Sequence, residues 1–364
     1  MVIQDVINHI EELAPLAYAE DFDNVGLLVG NKNNPITGVL VTLDTLETVI
    51  DEAIQEKCNL IVSFHPIIFK GLKKLTGKNY VERVVIKAIK HDIAIYSMHT
   101  ALDNSLQGVN NMICNKLELI NKQILIPQAK TIKKLTTYVP KNEAEQLRTA
   151  LFKIGAGSLG NYNDCSFNVE GYGTFNGNES SSPTKGKKGA THIEEETKIT
   201  VTYAKHIESQ IIQTLFKTHS YEEVAYEITT LENKNQSIGM GMVGDFKESM
   251  DESSFLSYLK TKMNTESIRH SSFLNKNIKR VAVLGGSGSF AIAAAKASGA
   301  DAFITADLKY HDFFTAEKNI LLADIGHYES EQFTKNLLVA YLTKKITNFA
   351  IILSKTNTNP VKYF

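Results

Sequence analysis

Short apolar runs that break off into polar corners recur at both ends of this chain, and they limit its fold more than any other feature. Leu60-Ile61-Val62, Ile93-Ala94-Ile95-Tyr96 and Ile320-Leu321-Leu322-Ala323-Asp324-Ile325 show little of the polar–apolar alternation of a half-exposed strand. Runs of this kind suit strands buried on both faces, as in a parallel sheet covered by helices. Between them the apolar residues recur with helical period. The first part reads as helix over 3–13, strand over 38–44, helix over 46–57, strand over 60–64, helix over 79–90, strand over 93–98 and helix over 107–117. The last part repeats the scheme, with strands over 280–284, 302–305, 319–325 and 349–353 and helices over 290–298, 309–318 and 328–344. The expected fold class is α/β, with two similar α/β halves forming one unit.

The middle differs. From about 130 to 233 the order is strand (136–139), helix (142–153), strand (166–175), long loop, strand (197–203), helix (207–217) and strand (224–230). That order fits an inserted ferredoxin-like α+β domain. The expected divisions are 1–129 for the N-terminal half, 130–234 for the insert and 235–364 for the C-terminal half. The loop 176–191, rich in Gly, Ser, Asn and Lys, is expected to be mobile.

Charge narrows the function classes. The 39 basic and 40 acidic residues leave a net charge of -1 with no basic stripe, so nucleic acid is not an expected partner. No apolar run reaches the length of a membrane span, and Met1-Val2-Ile3-Gln4-Asp5-Val6 does not resemble a secretory signal. Cys58, Cys114 and Cys165 form no Cys-x-x-Cys pair and read as reduced, structural thiols of a cytoplasmic protein.

The three apolar runs lead into Phe64-His65-Pro66, His99-Thr100-Ala101-Leu102-Asp103 and Gly326-His327-Tyr328-Glu329-Ser330-Glu331. In open α/β sheets ligands bind just beyond the carboxyl ends of the strands. Imidazole together with carboxylate suits zinc, iron or manganese. His327 and Glu331, spaced i, i+4 at a helix start, share one face and can hold a cation together. Singly, each segment has a plainer reading: His65 as a turn residue before Pro66, Asp103 as a helix cap, His327 and Glu331 as a solvated pair. Their convergence on strand ends favours a divalent-metal site assembled from both ends of the chain. His99 is read at a strand end, as a ligand or, preferably, as a partner that orients Asp103 or a water. Asp324 is a candidate to orient His327.

The Gly285-Gly286-Ser287-Gly288-Ser289 turn can cradle a phosphate, although it is no Walker A loop; equally it can simply let a helix pack on a strand. Thr305, Asp307, Lys309 and His311 follow the next strand and either face the same cleft or merely lie on the surface. Gly155–Tyr162 and His219-Ser220-Tyr221-Glu222-Glu223 follow helices and read as structural.

With Asp21-Phe22-Asp23-Asn24-Val25-Gly26-Leu27, Phe64–Gly71, His99–Asp103, Gly285–Gly288, Thr305–His311 and Gly326–Glu331 in place, the chain resembles the GTP cyclohydrolase 1 type 2 homologue family. That family is also called the Ngg-interacting factor three-like family, and the match spans essentially the whole chain. Gly155–Phe167, Gly171–Phe175 and His219–Glu223 resemble its longer bacterial form. The resemblance implies a CutA-like or PII-like insert, a toroidal homohexamer and a pair of divalent metals per subunit facing an interior cavity. Carried over by position, the metal ligands are His65, Asp103, His327 and Glu331, with Glu331 bridging. The family usually reads His-His-Pro where this chain has Phe64-His65-Pro66. Phe64 cannot bind a metal, so one or two cations are expected, the second completed by water or His99.

The function expected on this basis is metal-dependent hydrolysis, either GTP ring opening, as the family name suggests, or phosphoester cleavage by metal-activated water. His99 is expected to move a proton in catalysis, since imidazole titrates near neutrality. Gly286, Ser287, Thr305, Asp307, Lys309 and His311 are the expected substrate-binding set. The alternative is a non-catalytic, metal-binding regulatory or scaffold hexamer, which the missing histidine suits.

Overall fold

The computed structural model describes residues 1–347 and 349–364. In chain order its strands are β1 (Gly26–Val29), β2 (Val39–Thr42), β3 (Leu60–Ser63), β4 (Ala94–Ser97), β5 (Ile120–Gln128), β6 (Ile132–Pro140), β7 (Ser166–Phe175), β8 (His192–Ala204), β9 (Tyr226–Leu231), β10 (Asn235–Met250), β11 (Arg269–His270), β12 (Ile278–Ser287), β13 (Ala302–Ala306), β14 (Leu321–Asp324) and β15 (Ile351–Leu353). The helices that matter below are α1 (Ile3–Leu13), α2 (Glu47–Gln55), α3 (Tyr80–Lys90), α4 (His99–Asp103), α5 (Val109–Lys116), α6 (Ala144–Lys153), α7 (Glu208–Thr218), α8 (Glu252–Met263), α9 (Ile292–Ala297), α10 (His327–Glu331) and α11 (Thr334–Lys345). The chain forms two compact units, Met1–Pro127 with Gln236–Phe364, and Gln128–Asn235.

The larger unit is α/β with two sheets. The first has the order β1-β4-β3-β2-β15 and the second β11-β14-β13-β12-β10-β5. Each is parallel at its centre: β15, β2, β3 and β4 run together in one, β12, β13 and β14 in the other. Antiparallel strands flank them, β1 on β4, β11 on β14 and β10 on β12. The continuous apolar runs have the expected cause. Val41, Val62 and Tyr96 of the first sheet share one core with Val281, Ile304 and Leu321 of the second, sealed by Val6 and Ile10 of α1 and Leu338 of α11. The alternate residues Leu40, Ile61 and Ile95 pack outward on Val49, Ile50, Val84 and Val85 of α2 and α3. Ala282, Phe303 and Leu322 do the same against Ile292 and Ala295 of α9. Both faces are therefore covered, and each large aliphatic side chain so buried contributes roughly 1.5–3 kcal/mol.

The halves are less separate than their sequence order implies. β15, expected with the C-terminal half, pairs instead with β2, Ile351 opposite Val39. The reason is α11, which packs across β2 and delivers the chain to the open edge of the first sheet. Reciprocally, β5 leaves the N-terminal half to join the second sheet. His99 and Asp103 occupy a one-turn helix, α4, rather than a strand end. The helices expected over 290–298 and 309–318 are partly or wholly 3-10, and that over 328–344 is broken into α10 and α11.

The smaller unit runs βαββαβ, with an antiparallel sheet in the order β7-β8-β6-β9. Leu135 and Val139 of β6 and Ile199 and Val201 of β8 pack on Leu147 and Leu151 of α6 and Ile211 and Leu215 of α7. The segment 176–191 has no helix or strand, but it is fastened. Gly189 N donates to Gly177 O at 2.7 Å, Ser182 N to Glu222 at 2.6 Å and the Thr184 hydroxyl to Ser220 O at 2.8 Å.

Candidate metal centre

The parallel strands of both sheets end at one place, and each end supplies a polar side chain. Asp44, His65 and His99 follow β2, β3 and β4; Ser287, Asp307 and His327 lie at or beyond the ends of β12, β13 and β14. One ligand atom each from His65, His327 and Glu331 can be chosen so that all lie within 4.8 Å of one another. His65 Nε2 lies 3.1 Å and His327 Nε2 3.3 Å from the same Glu331 oxygen, Oε2.

Each histidine is held from behind by a carboxylate. His65 Nδ1 lies 2.8 Å from Asp44 and His327 Nδ1 2.7 Å from Asp307. In each sheet the aspartate follows the strand next to the one carrying its histidine. His99 Nδ1 lies 2.8 Å from Asp23. Ionised carboxylates only accept hydrogen bonds, so Nδ1 donates in all three and Nε2 is the end turned away from the aspartate. This is the arrangement that fixes the tautomer of a metal-binding imidazole and raises its basicity. Further contacts steady the carboxylates: Thr358 donates to Asp44 at 2.6 Å, Ser287 to Asp307, and the Thr100 amide to Asp23 at 3.0 Å. His99 has a backbone φ of 22°, a sparsely populated conformation of the kind that concentrates at functional sites.

Electrostatics match this geometry. Burial pulls the His65 imidazole down, but the Glu331 charge and hydrogen bonds with Asp44 and Glu331 outweigh it and raise the group to about 10. His327 behaves alike: burial lowers it, while Glu331 and Asp307 raise it further, to about 9. Burial would lift Glu331, yet the two imidazoles hold it below the ordinary carboxylate range. Burial and then the Glu331 charge push Asp103 well above that range. Burial also opposes the ionised form of Asp23, but hydrogen bonds from His99 and Thr100 bring it to about 2.

The donor set fits a divalent cation. Two imidazole nitrogens converge on a buried carboxylate oxygen, and beside them Asp103 Oδ1, also buried, has no hydrogen bond among the described residues. Gly286 makes the approach possible: a Cβ there would lie 2.4 Å from Glu331 Oε1, and its φ of 68° suits glycine.

The sequence-derived candidates divide. His65, His327 and Glu331 meet; Asp103 lies outside that trio but lines the adjoining cavity of about 270 Å³ with His99, Gly286, Ser287, His327 and Glu331. Thr305 is fully buried, its hydroxyl donating to Gly286 O at 3.1 Å. Asp307 orients His327, the role considered for Asp324; Asp324 instead accepts from Leu308 N and Gly326 N and pairs with Arg269. Lys309 and His311 are exposed and do not line the cavity. In the glycine turn, the amides of Gly285 and Gly286 are already taken by Asn110 Oδ1 and Ser330 Oγ at 3.0 and 2.9 Å, so these two cannot cradle a phosphate. Phe64 is fully buried, its ring against those of His65 and His99 at centroid distances of 4.9 and 5.7 Å. Asp44, Asp23 and Thr358 were given no role from sequence, although Asp44 ends an apolar run and Asp23 lies in the Asp21–Leu27 motif that carries the resemblance. The Cys58 and Cys114 thiols are buried, which pushes them up to about 11 and about 12.

Among the described residues no helix is long and apolar enough to cross a membrane. Residues 1–360 match the family model Duf34/NIF3 (NGG1p interacting factor 3). The chain is 37% identical over 370 aligned residues to the Bacillus subtilis protein named GTP cyclohydrolase 1 type 2 homolog, covering 99% of this chain and 98% of that one. Its structure is similar to that of a Bacillus cereus protein related to NIF3, with a TM-score of 0.88, 34% identity and coverage of 100% and 99%. A Staphylococcus aureus protein gives a TM-score of 0.79 at 31% identity, with coverage of 100% and 99%. The chain belongs to the Duf34/NIF3 family.

Proposed function

We propose that this chain is a metal-dependent hydrolase whose principal divalent cation, zinc, iron or manganese, is held by His65, His327 and Glu331. The observation that carries the reading is the convergence of two carboxylate-backed imidazole nitrogens on one buried glutamate oxygen. Asp103 and His99 form the edge of a second position, weakened because Phe64 contributes a ring where a donor would be needed. When bound, the cation supplies Lewis acidity toward water and a substrate oxygen. The protein does the rest. Asp44 and Asp307 keep both imidazoles aimed, the apolar core beneath keeps the site closed on that side, and Asp23 holds His99 at the cavity, where its Nε2 would accept a proton.

GTP ring opening is the first substrate reading, suggested by the name of the Bacillus subtilis relative; phosphoester hydrolysis needs the same machinery. A cavity of about 270 Å³ is smaller than most pockets for whole ligands, so it admits a ring or phosphoryl group. Gly286 and Ser287 line it, Phe22 and Phe290 flank it, and Lys309 and His311 are left to meet whatever stays outside. The resemblance further supports a homohexamer, for which light scattering should give a mass near that of six chains of 40.4 kDa. Exposed aromatics such as Phe22, Phe290, Tyr310 and Phe314 provide apolar surface for such an assembly to cover. The βαββαβ order supports a CutA-like or PII-like insert.

The test is turnover. Metal-loaded protein is assayed for formate release from GTP and for cleavage of p-nitrophenyl phosphate. His99→Gln is expected to lower kcat by roughly 10²- to 10⁴-fold while metal content stays unchanged. Full metal occupancy without turnover on either substrate would favour the regulatory or scaffold reading, to which buried Phe64 lends weight.

A further inference from the structure

The smaller unit contains a second cavity, of about 580 Å³, which the metal centre does not use. Its apolar wall includes Tyr138, Tyr172, Phe175 and Tyr221, and the rings of Phe175 and Tyr221 lie 5.8 Å apart at 62°. Its charged lining is Glu196, Glu222 and Glu223 against Lys185, whose ammonium lies 3.7 Å from Glu194. Glu196 is held in place: one oxygen accepts from the Tyr221 hydroxyl at 2.8 Å. The other lies over Gly173, where a Cβ would come within 2.1 Å of it. A glycine in β7 thus lets the carboxylate settle against the aromatic wall. The segment 176–191 supplies the remaining side and is fastened there through Glu222 and Ser220.

Aromatic faces attract cations through their ring quadrupole, and a neighbouring carboxylate supplies the opposing charge. Excess negative charge in the same lining opposes phosphates and carboxylates. We propose that the Gln128–Asn235 unit binds a small organic cation, an ammonium or guanidinium on a flat or apolar body, between these aromatic rings and Glu196. The site stands independently of the metal reading, since all its residues belong to the insert.

The test uses the full-length protein and isothermal titration calorimetry, with benzyltrimethylammonium and agmatine as probes and benzyl alcohol and phenyl phosphate as neutral and anionic comparators. The expected result is saturable binding of at least one cation, one per chain, with both comparators at least about tenfold weaker. Glu196→Gln keeps an acceptor for Tyr221 but removes the charge, and is expected to weaken the cation about tenfold, a factor that corresponds to 1.4 kcal/mol. Gly173→Ala displaces the same carboxylate while asking only the flexible end of Glu196 to move, and should weaken binding similarly if Glu196→Gln folds poorly. A His327→Ala, Glu331→Ala variant should bind the cation as wild type does. No saturation at millimolar concentration, equal binding of benzyl alcohol, unchanged affinity in both insert variants, or loss of binding in the metal-site variant would each overturn the proposal.

Discussion

Asp44 and Asp307 do the same work from opposite sheets: each accepts from the Nδ1 of a histidine whose Nε2 meets Glu331. Removing such a partner typically costs 10–100-fold in metal affinity. Asp44→Ala and Asp307→Ala should therefore each weaken metal binding by about that factor, as read by competition with a chromophoric chelator, with the fold retained in circular dichroism. Protons compete for the same nitrogens. Without a cation, His65 and His327 hold protons up to about 10 and about 9, so binding must displace them. Affinity should rise with pH, by up to about tenfold per unit for each proton released, and level off above about 10. The same raised groups stabilise the metal-free fold at low pH and stop doing so as pH rises through those values. Affinity independent of pH between 6 and 9 would contradict the assignment of Nε2 as donor. His65, His327 and Glu331 were legible in the sequence because each follows a run whose burial is self-evident. Asp44 and Asp23 were not, because their histidines lie 21 and 76 residues away and no local spacing links them.

At the scale of elements, the parallel strands of the two sheets announced themselves, while β1, β5, β10 and β11 and the pairing of the strands did not. The apolar runs of β2, β3, β4, β13 and β14 follow from burial on both faces, a property of each strand alone. That β15 crosses to the first sheet and β5 to the second depends on where α11 and the sheet edges lie, which no window of sequence contains. The one-turn helix α4 is too short for a periodic signal, so His99 and Asp103 were misread as to setting. Where a terminus is specified by side chains, the sequence speaks directly. Asn79 accepts from Glu82 N at 2.9 Å and caps α3, with Glu82 tied in turn to Thr76 and Asn79. Asn79→Ala should cost about 1 kcal/mol, measured as a shift in the urea unfolding midpoint. An unchanged midpoint would mean that the cap is redundant.

At the scale of the whole molecule, all the proposed ligands lie in the unit formed by Met1–Pro127 and Gln236–Phe364. The two ends from which the insert departs run on neighbouring strands, β5 and β10, and Gly239 packs beside Ile126. Replacing 128–235 by a short Gly-Asn hairpin should therefore leave a folded protein that binds its metal with wild-type stoichiometry. Loss of metal with retention of fold would show that the insert completes the site. The division itself was visible in sequence as a change in element order; the shared core between the two sheets was not, because it joins residues from both ends of the chain. The metal content of protein purified without chelator, set beside a His327→Ala, Glu331→Ala variant, tests the central claim most directly. About one equivalent per chain in the wild type, lost in the variant, is the expected result; wild-type metal no higher than that of the variant would contradict it.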